Sequence, residues 1–311
     1  MAGGTPMIHD IKLYLALRRT TGFVLSNDEC LLLSYARFAA ESGESFIRAS
    51  TAIKWASKAV SVAQRDTRIK TVCRFARYIR LEDKRHELPP SRYFFCYKTR
   101  RLPFIYSNTE ITNLIKTALA LGPPDTLYPH TFANLIALLS ATGLRVSEAL
   151  KLHLSDITAD GLLIHHTKFR KTRLVPLHDT AVLGLERYLV RRRSVSSSNN
   201  EVFVTEVGQP LRYSSVYCTF KKLLKRTKLS TPAGVPQPRL HDLRHRFAVN
   251  SLLECSNGRK LVSQHMLALS TYLGHANVYS TFWYLEAAPE LLRNIAIDCE
   301  SFLFKGEKSW S

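Results

Sequence analysis

Residues 273–285 read LGHANVYSTFWYL, and two phenols, Tyr279 and Tyr284, share this stretch with His275 and Trp283. A tyrosine hydroxyl is a nucleophile once it loses its proton. Its free pKa of ~10 means that a base or neighbouring cations must help it do so. Composition does not separate the two tyrosines. Upstream, HDLRH at 241–245 puts His241 and Arg244 at i and i+3, on one side of a helix. A planar, permanently charged fork beside a tunable imidazole suits a phosphate. Two more cations stand where a backbone could aim them. Arg145 heads a helix in TGLRVSEAL, and Lys168 closes a strand in TKFRKTRLVPL.

Each of these has a plainer reading. Arg145 can pair with Glu148 one turn on, and Lys168 can be the tip of a solvated hairpin. A cation in the first turn of a helix is locally unfavourable, so the alternative is that Arg145 serves an anion which that helix end also attracts. His241 and His245, at i and i+4, are similar to an H-E-x-x-H zinc site with Asp242 in place of the base. Asp is one methylene short for that task. A third histidine six residues on would fall at Ser251, which leaves the metalloprotease reading without its extended pattern.

The elements that must hold these groups are mostly helical. Residues 8–20 are apolar and loosely periodic, SNDE at 26–29 spells a capping box on Ser26, and the helix it opens should stop near Gly43. Residues 60–82 form a strongly amphipathic helix whose polar side carries Arg65, Arg68, Lys70, Arg74, Arg77 and Arg80. LPP at 88–90 and KTRRLP at 98–103 punctuate the chain, and SNTE at 107–110 opens a second capping box. The expected domains are therefore 1–97, a linker at 98–106, and 107–311. In the second domain residues 131–141 read as a buried helix ending at Gly143. Residues 161–168 and 173–178 read as two strands, with VFVT at 202–205 as a third, and helices follow at about 213–228, 241–255 and 260–272. The predicted class is mainly α with a small antiparallel β-sheet.

Charge narrows the partner. The chain has 311 residues, 45% of them hydrophobic, and a net charge of +19. Such an excess points to nucleic acid before an anionic membrane. It sits in two stretches, 48–101 with 15 basic and 4 acidic residues, and 167–246 with 17 and 5. Apolar residues run through both, so neither is a disordered tail. Two basic surfaces on two folded units could grip one duplex from two sides. The six cysteines contain no C-x-x-C pair and read as reduced, mostly buried thiols of an intracellular protein. The first residues lack the apolar core of a secretory signal, and no apolar run approaches the ~18 residues of a membrane span.

In order and identity these elements resemble the tyrosine recombinases, also called the phage integrase family, over roughly residues 107–290. ATGLRVSEAL matches the first arginine motif, on Arg145. TKFRKTRLVPL matches the hairpin that carries a catalytic lysine, on Lys168. HDLRH matches the His-x-x-Arg motif, on His241 and Arg244. LGH matches the next histidine, on His275, and the family's nucleophile nine residues later is Tyr284. Phe169 and Arg170 in the hairpin turn, and Arg246 after LRH, depart from the small or polar residues usual there.

The resemblance implies a helical core-binding domain before a mixed α/β catalytic domain. It implies that Tyr284 attacks a DNA phosphodiester to give a 3′-phosphotyrosine link, which a 5′-hydroxyl of a second duplex reverses. Neither metal nor ATP nor any other cofactor is needed, because the covalent link keeps the phosphodiester energy. Arg145 and Arg244 would clamp the phosphate oxygens, Lys168 would protonate the leaving oxygen, His241 would assist the phenol and His275 would donate to the phosphate. Expected DNA contacts are Arg65, Arg68, Arg74, Arg100, Arg101, Phe169, Arg170, Lys171 and Arg246. The implied assembly is four protomers on two duplexes, homomeric or mixed with related recombinases, in a bacterial cytoplasm at the nucleoid. The apolar tail after Tyr284 would dock on a neighbour or on its own domain. A non-catalytic DNA-binding regulator and a type IB topoisomerase are the competing readings.

Overall fold

The computed structural model describes residues 6–97, 101–165, 172–195, 199–229, 231, 235–254, 259–275, 277 and 279–286, with backbone alone at 259–263, 285 and 286. The chain divides into two compact units, Met1–Arg100 and Arg101–Ser311.

The first unit is built from α1 (Pro6–Thr20), α2 (Ser26–Glu41), α3 (Ala49–Ser57) and α4 (Val62–Ile79). Its core gathers Met7, Ile11, Tyr35, Trp55, Ile69 and Phe75. The capping box expected on Ser26 does not form. Leu25 is the N-cap instead, in the left-handed region at φ 53° and ψ 26°. The Glu29 carboxylate meets Arg19 Nη2 at 2.6 Å, and this cation takes the place of the backbone amide that a capping box would use. Helix α3 was not expected from the sequence. Its buried face, Thr51, Ala52, Trp55 and Ala56, spans too few turns to show a period, and burial rather than propensity secures it. Helix α4 is shorter than residues 60–82 and starts where Ser61 Oγ accepts from Gln64 N at 3.2 Å.

The second unit holds α5 (Asn108–Leu119), α6 (Leu127–Thr142), α7 (Val146–Ala149), β1 (Ile157–Thr158), β2 (Gly161–Ile164), β3 (Arg173–Val175), α8 (Asp179–Arg193), α9 (Tyr213–Arg226), α10 (Leu240–Leu253), α11 (Arg259–Leu273) and α12 (Tyr279–Glu286). The SNTE box forms as read. Glu110 N–H donates to Ser107 Oγ at 3.2 Å, and the Ser107 N–H donates to the Glu110 carboxylate at 2.7 Å. Helix α6 is the spine of this unit, buried on most sides through Phe132, Leu135, Ile136 and Leu139.

The sheet is antiparallel, order β1-β2-β3, with Leu162 opposite Val175 and Ile164 opposite Arg173. Its third strand is β1, not VFVT. Residues 202–204 are buried, but that stretch forms only an isolated bridge between Val204 and Pro210. Helix α8 escaped the sequence reading because half its length is charged or solvated, and only Leu185, Tyr188 and Arg192 are buried. Of the four cysteines described, Cys73 is buried and Cys30 and Cys218 are exposed, so mostly buried thiols was too strong; Cys255 and Cys299 lie outside the described residues. Among the described residues, no helix is long and apolar enough to cross a membrane.

Candidate active site

A helix ends with carbonyls that have no partner within it, and its dipole is negative there. The C-terminus of α11 answers this with three arginines from three other segments. Arg173 Nε donates to the Tyr272 carbonyl at 2.7 Å, Arg244 Nη2 to Leu273 at 2.6 Å, and Arg145 Nη2 to Gly274 at 3.1 Å. Arg244 also donates through Nη1 to the Gly143 carbonyl at 2.7 Å, and so joins the ends of α6 and α11.

Both ends turn on glycine. Gly143 has φ +61°, and a Cβ there would lie 2.5 Å from Phe247 Cδ1; Gly274 has φ +66°, and a Cβ would lie 2.9 Å from Arg173 Nη1. After Gly274 the chain closes α11 with His275 N–H bonded to the Ser270 carbonyl at 3.0 Å, a helix-stop geometry that needs the left-handed residue.

One carboxylate faces these guanidiniums. Glu148 accepts from Arg145 N at 3.0 Å, from Arg145 Nη1 at 2.7 Å, and from Arg173 Nη1 and Nη2 at 3.1 and 2.8 Å. Burial would raise its pKa, but the Arg173 and Arg145 bonds outweigh that and hold it at about 2. Arg173 and Glu148 are thus an enclosed, two-pronged pair. Arg145 is the more open guanidinium, with 28% of its side chain exposed against 11% for Arg173. Burial, and then the charge of Arg145, lower Arg244 to about 10. The cluster carries more positive charge than Glu148 balances.

The structure separates the two tyrosines. Tyr279 is 81% exposed, whereas Tyr284 is 2% exposed. The Tyr284 ring lies 5.5 Å from His245, 5.7 Å from Trp283 and 6.0 Å from His275, centroid to centroid. Burial raises its pKa, and the charge and hydrogen bond of Arg244 and the charge of Arg145 pull it back. His275 is half-buried and held at about 4 by burial first and then by Arg244 and Arg145. His241 opens to solvent at the mouth of the site, and its ring meets His245 edge-on at 4.7 Å. The protein crowded around the rest of that ring, followed by the Arg244 charge, lowers its pKa. Asp242 is fully buried and bonds Arg239 through its backbone N–H and guanidinium. It is therefore tied to Arg239, whereas a base in an H-E-x-x-H site would have to stand free beside its two histidines.

Arg145, Arg244, His275 and Tyr284 therefore meet, and His241 stands at their edge. Lys168 lies outside the described residues, as do Arg100, Phe169, Arg170 and Lys171. The other expected DNA contacts are engaged within the protein. Arg65 Nε donates to Ala59 O at 2.8 Å, Arg68 lies over the Trp55 ring, and Arg74 bonds Asp28 at 2.8 Å. Arg101 donates to the Gln237 carbonyl at 2.6 Å. Arg246 uses its extra length to reach the Tyr106 carbonyl at 3.0 Å and Asn108 Oδ1. Sequence reasoning missed Arg173, whose only signal is its place beside the hairpin turn, and the edge-on and tilted ring contacts around His245.

Comparison with known proteins agrees with this arrangement. Residues 108–290 match the model of the phage integrase family. The candidate integrase/recombinase y4rB of Sinorhizobium fredii is 36% identical over 291 residues, 90% of this chain and 92% of that protein. Tyrosine recombinase XerD of Halalkalibacterium halodurans is 32% identical over 63% of this chain and 62% of its own length. In fold, the chain is similar to the XerH site-specific recombinase bound to its difH substrate, with a TM-score of 0.63, 18% identity and coverage of 89% of this chain and 81% of that one. It is also similar to a lambda integrase dimer bound to a core site, with a TM-score of 0.60, 16% identity and coverage of 89% and 76%. The chain belongs to the phage integrase family and is a site-specific tyrosine recombinase that acts on DNA.

Proposed function

We propose that the chain cuts and rejoins DNA by transesterification at Tyr284, with strand exchange between two duplexes. The observation that carries this reading is the enclosed Tyr284 phenol beside guanidiniums that outnumber their one carboxylate. In the cleavage step the Tyr284 oxygen attacks phosphorus, and the bond from phosphorus to the 5′-oxygen breaks. The phenol proton passes to His241, and Lys168 delivers a proton to the departing 5′-oxygen. The product is a 3′-phosphotyrosine link and a free 5′-hydroxyl. Arg145 and Arg244, fixed in advance by helix-end carbonyls, take the charge that builds on the non-bridging oxygens, and His275 adds one more hydrogen bond. A 5′-hydroxyl of the partner duplex then reverses the step.

In this reading residues 1–97 are a DNA core-binding domain, 98–106 a linker, and 107–311 the catalytic domain with an oligomerisation tail. Four protomers work on two duplexes, in the cytoplasm at the nucleoid. XerH bound to difH and the lambda integrase dimer on its core site are the solved likenesses that support DNA-bound assembly.

A nicked duplex carrying the DNA that flanks the coding sequence tests the chemistry, because the nick lets the cleaved end diffuse away and traps the adduct. Wild type and Tyr279→Phe should form a covalent adduct, and Tyr284→Phe should form none. An adduct in Tyr284→Phe overturns the assignment. Relaxation of supercoils with no exchanged strands would recast the protein as a topoisomerase.

A further inference from the structure

His275 is useful to a phosphate only if the nitrogen that faces it carries a proton. A neutral imidazole has one such nitrogen, and the partner of the other ring nitrogen decides which. In this protein that partner is Thr281, whose Oγ1 lies 2.7 Å from His275 Nδ1. Thr281 has no exposed surface, so water does not compete for the bond. It stands on α12, three residues before Tyr284 on the same helix, so one hydroxyl ties the histidine to the element that bears the phenol.

We propose that Thr281 is a positioning residue for cleavage: its hydroxyl donates to His275 Nδ1 and leaves Nε2 as the N–H that meets the phosphate. The reverse arrangement, Nδ1–H donating to Thr281, would present a bare nitrogen lone pair to an anionic oxygen. Protonating both nitrogens would give two donors, but the His275 pKa of about 4, depressed by burial and by Arg244 and Arg145, keeps the ring neutral near pH 7. A hydroxyl pairs with either neutral form of the ring, and only the form in which Thr281 donates leaves Nε2–H for the phosphate.

The inference rests on the reading of His275 as a donor to the phosphate, and two measurements keep the two apart. The first is activity. Thr281→Val keeps the branched shape and removes only the hydroxyl. It should slow adduct formation on the nicked duplex about 10- to 100-fold, by analogy with the loss when the orienting partner of a metal-bound histidine is removed, while DNA affinity stays unchanged. Thr281→Ser should restore the rate, and in a His275→Ala background Thr281→Val should add nothing further. The second is nitrogen NMR of histidine-labelled full chain without DNA. Wild type should show His275 protonated at Nε2, and Thr281→Val should show a mixture of both forms.

A wild-type rate in Thr281→Val, a Thr281→Ser variant as slow as Thr281→Val, or Nδ1 protonation in wild type overturns the proposal. If Thr281→Val does not fold, the wild-type spectrum still decides the protonation site. Failure of wild type itself to form an adduct, with Nε2 protonated, strikes the recombination chemistry and leaves the tautomer assignment standing.

Discussion

Both units of this protein carry many arginines, 12 in the first and 15 in the second, yet they spend them in opposite ways. In the first unit several guanidiniums pair one to one with a carboxylate. Arg19 pairs with Glu29, Arg48 with Glu87, Arg74 with Asp28 and Arg85 with Asp83. These pairs are largely open to water, where such contacts contribute about 0–1 kcal/mol each. In the second unit Arg145, Arg173 and Arg244 crowd on one helix end, where a single carboxylate, Glu148, pairs with Arg145 and Arg173. Counting charges along the chain does not distinguish these regions, because both stretches are strongly basic. The difference lies in compensation. Dispersed and paired arginines give a diffuse field, which suits a long anionic polymer, whereas fixed and under-compensated ones suit a single phosphate, as the proposed cleavage requires.

Substitutions that unpick each arrangement sharpen this contrast. The largest effect belongs to Arg145→Ala and Arg244→Ala, each of which should lower the cleavage rate by ~10²–10³ or more, the range for loss of a charge-stabilising donor. DNA binding by Arg145→Ala, measured by gel shift, should stay mostly intact, and normal cleavage by that variant would remove Arg145 from the site. Next comes Arg173→Gln, which breaks the bidentate bond to Glu148 and should destabilise the protein by about 1.5–3 kcal/mol.

The acid limb of stability checks the same bond. Glu148 has its folded pKa depressed from 4.5 to about 2, so its contribution is present above 4.5 and is lost as pH falls toward 2. Arg173→Gln should flatten that loss in denaturant melts between pH 5 and pH 3, and an unchanged slope would show that Arg173 does not set the Glu148 pKa. The smallest effect is in the first unit. Arg68→Ala or Arg77→Ala should weaken DNA binding modestly and reduce its salt slope by about 1, with no change in cleavage rate at saturating DNA.

What the sequence made legible follows from how local each signal is. The SNTE capping box needs four residues in one order, and it formed. SNDE has the same spelling, yet Arg19 lies within reach of its glutamate and diverts it. Helices α5, α6, α9 and α10 follow from periods that run for three or more turns. The short α3 is held by Trp55 and α8 by Tyr188, each packed against distant residues, and neither leaves a pattern of its own. Arg145, His241, Arg244, His275 and Tyr284 could be named because the tyrosine recombinase motifs, taken together in order, match them. The carbonyls that aim three of the arginines could not, since Tyr272, Leu273 and Gly274 contribute backbone oxygens and any residue type would supply those. Arg246, read as a DNA contact, was hidden for the related reason that its partner is the Tyr106 carbonyl 140 positions away.

The ties that assemble the active centre span 129 positions from Arg145 to Gly274, 101 from Arg244 to Gly143 and 99 from Arg173 to Tyr272. Contacts this far apart along the chain form late, after the entropy of closing such loops has been met. The helices of the first unit, by contrast, close on themselves within the first hundred residues and can fold while synthesis continues. On the ribosome the leading unit is therefore expected to become compact before the surroundings of Tyr284 do. Until α11 and α12 have emerged, Arg145 and Arg173 have no helix end to settle on. If the proposed chemistry at Tyr284 holds, its surroundings are complete only once α11 and α12 have arrived, and chains that stop short of them should not nick DNA.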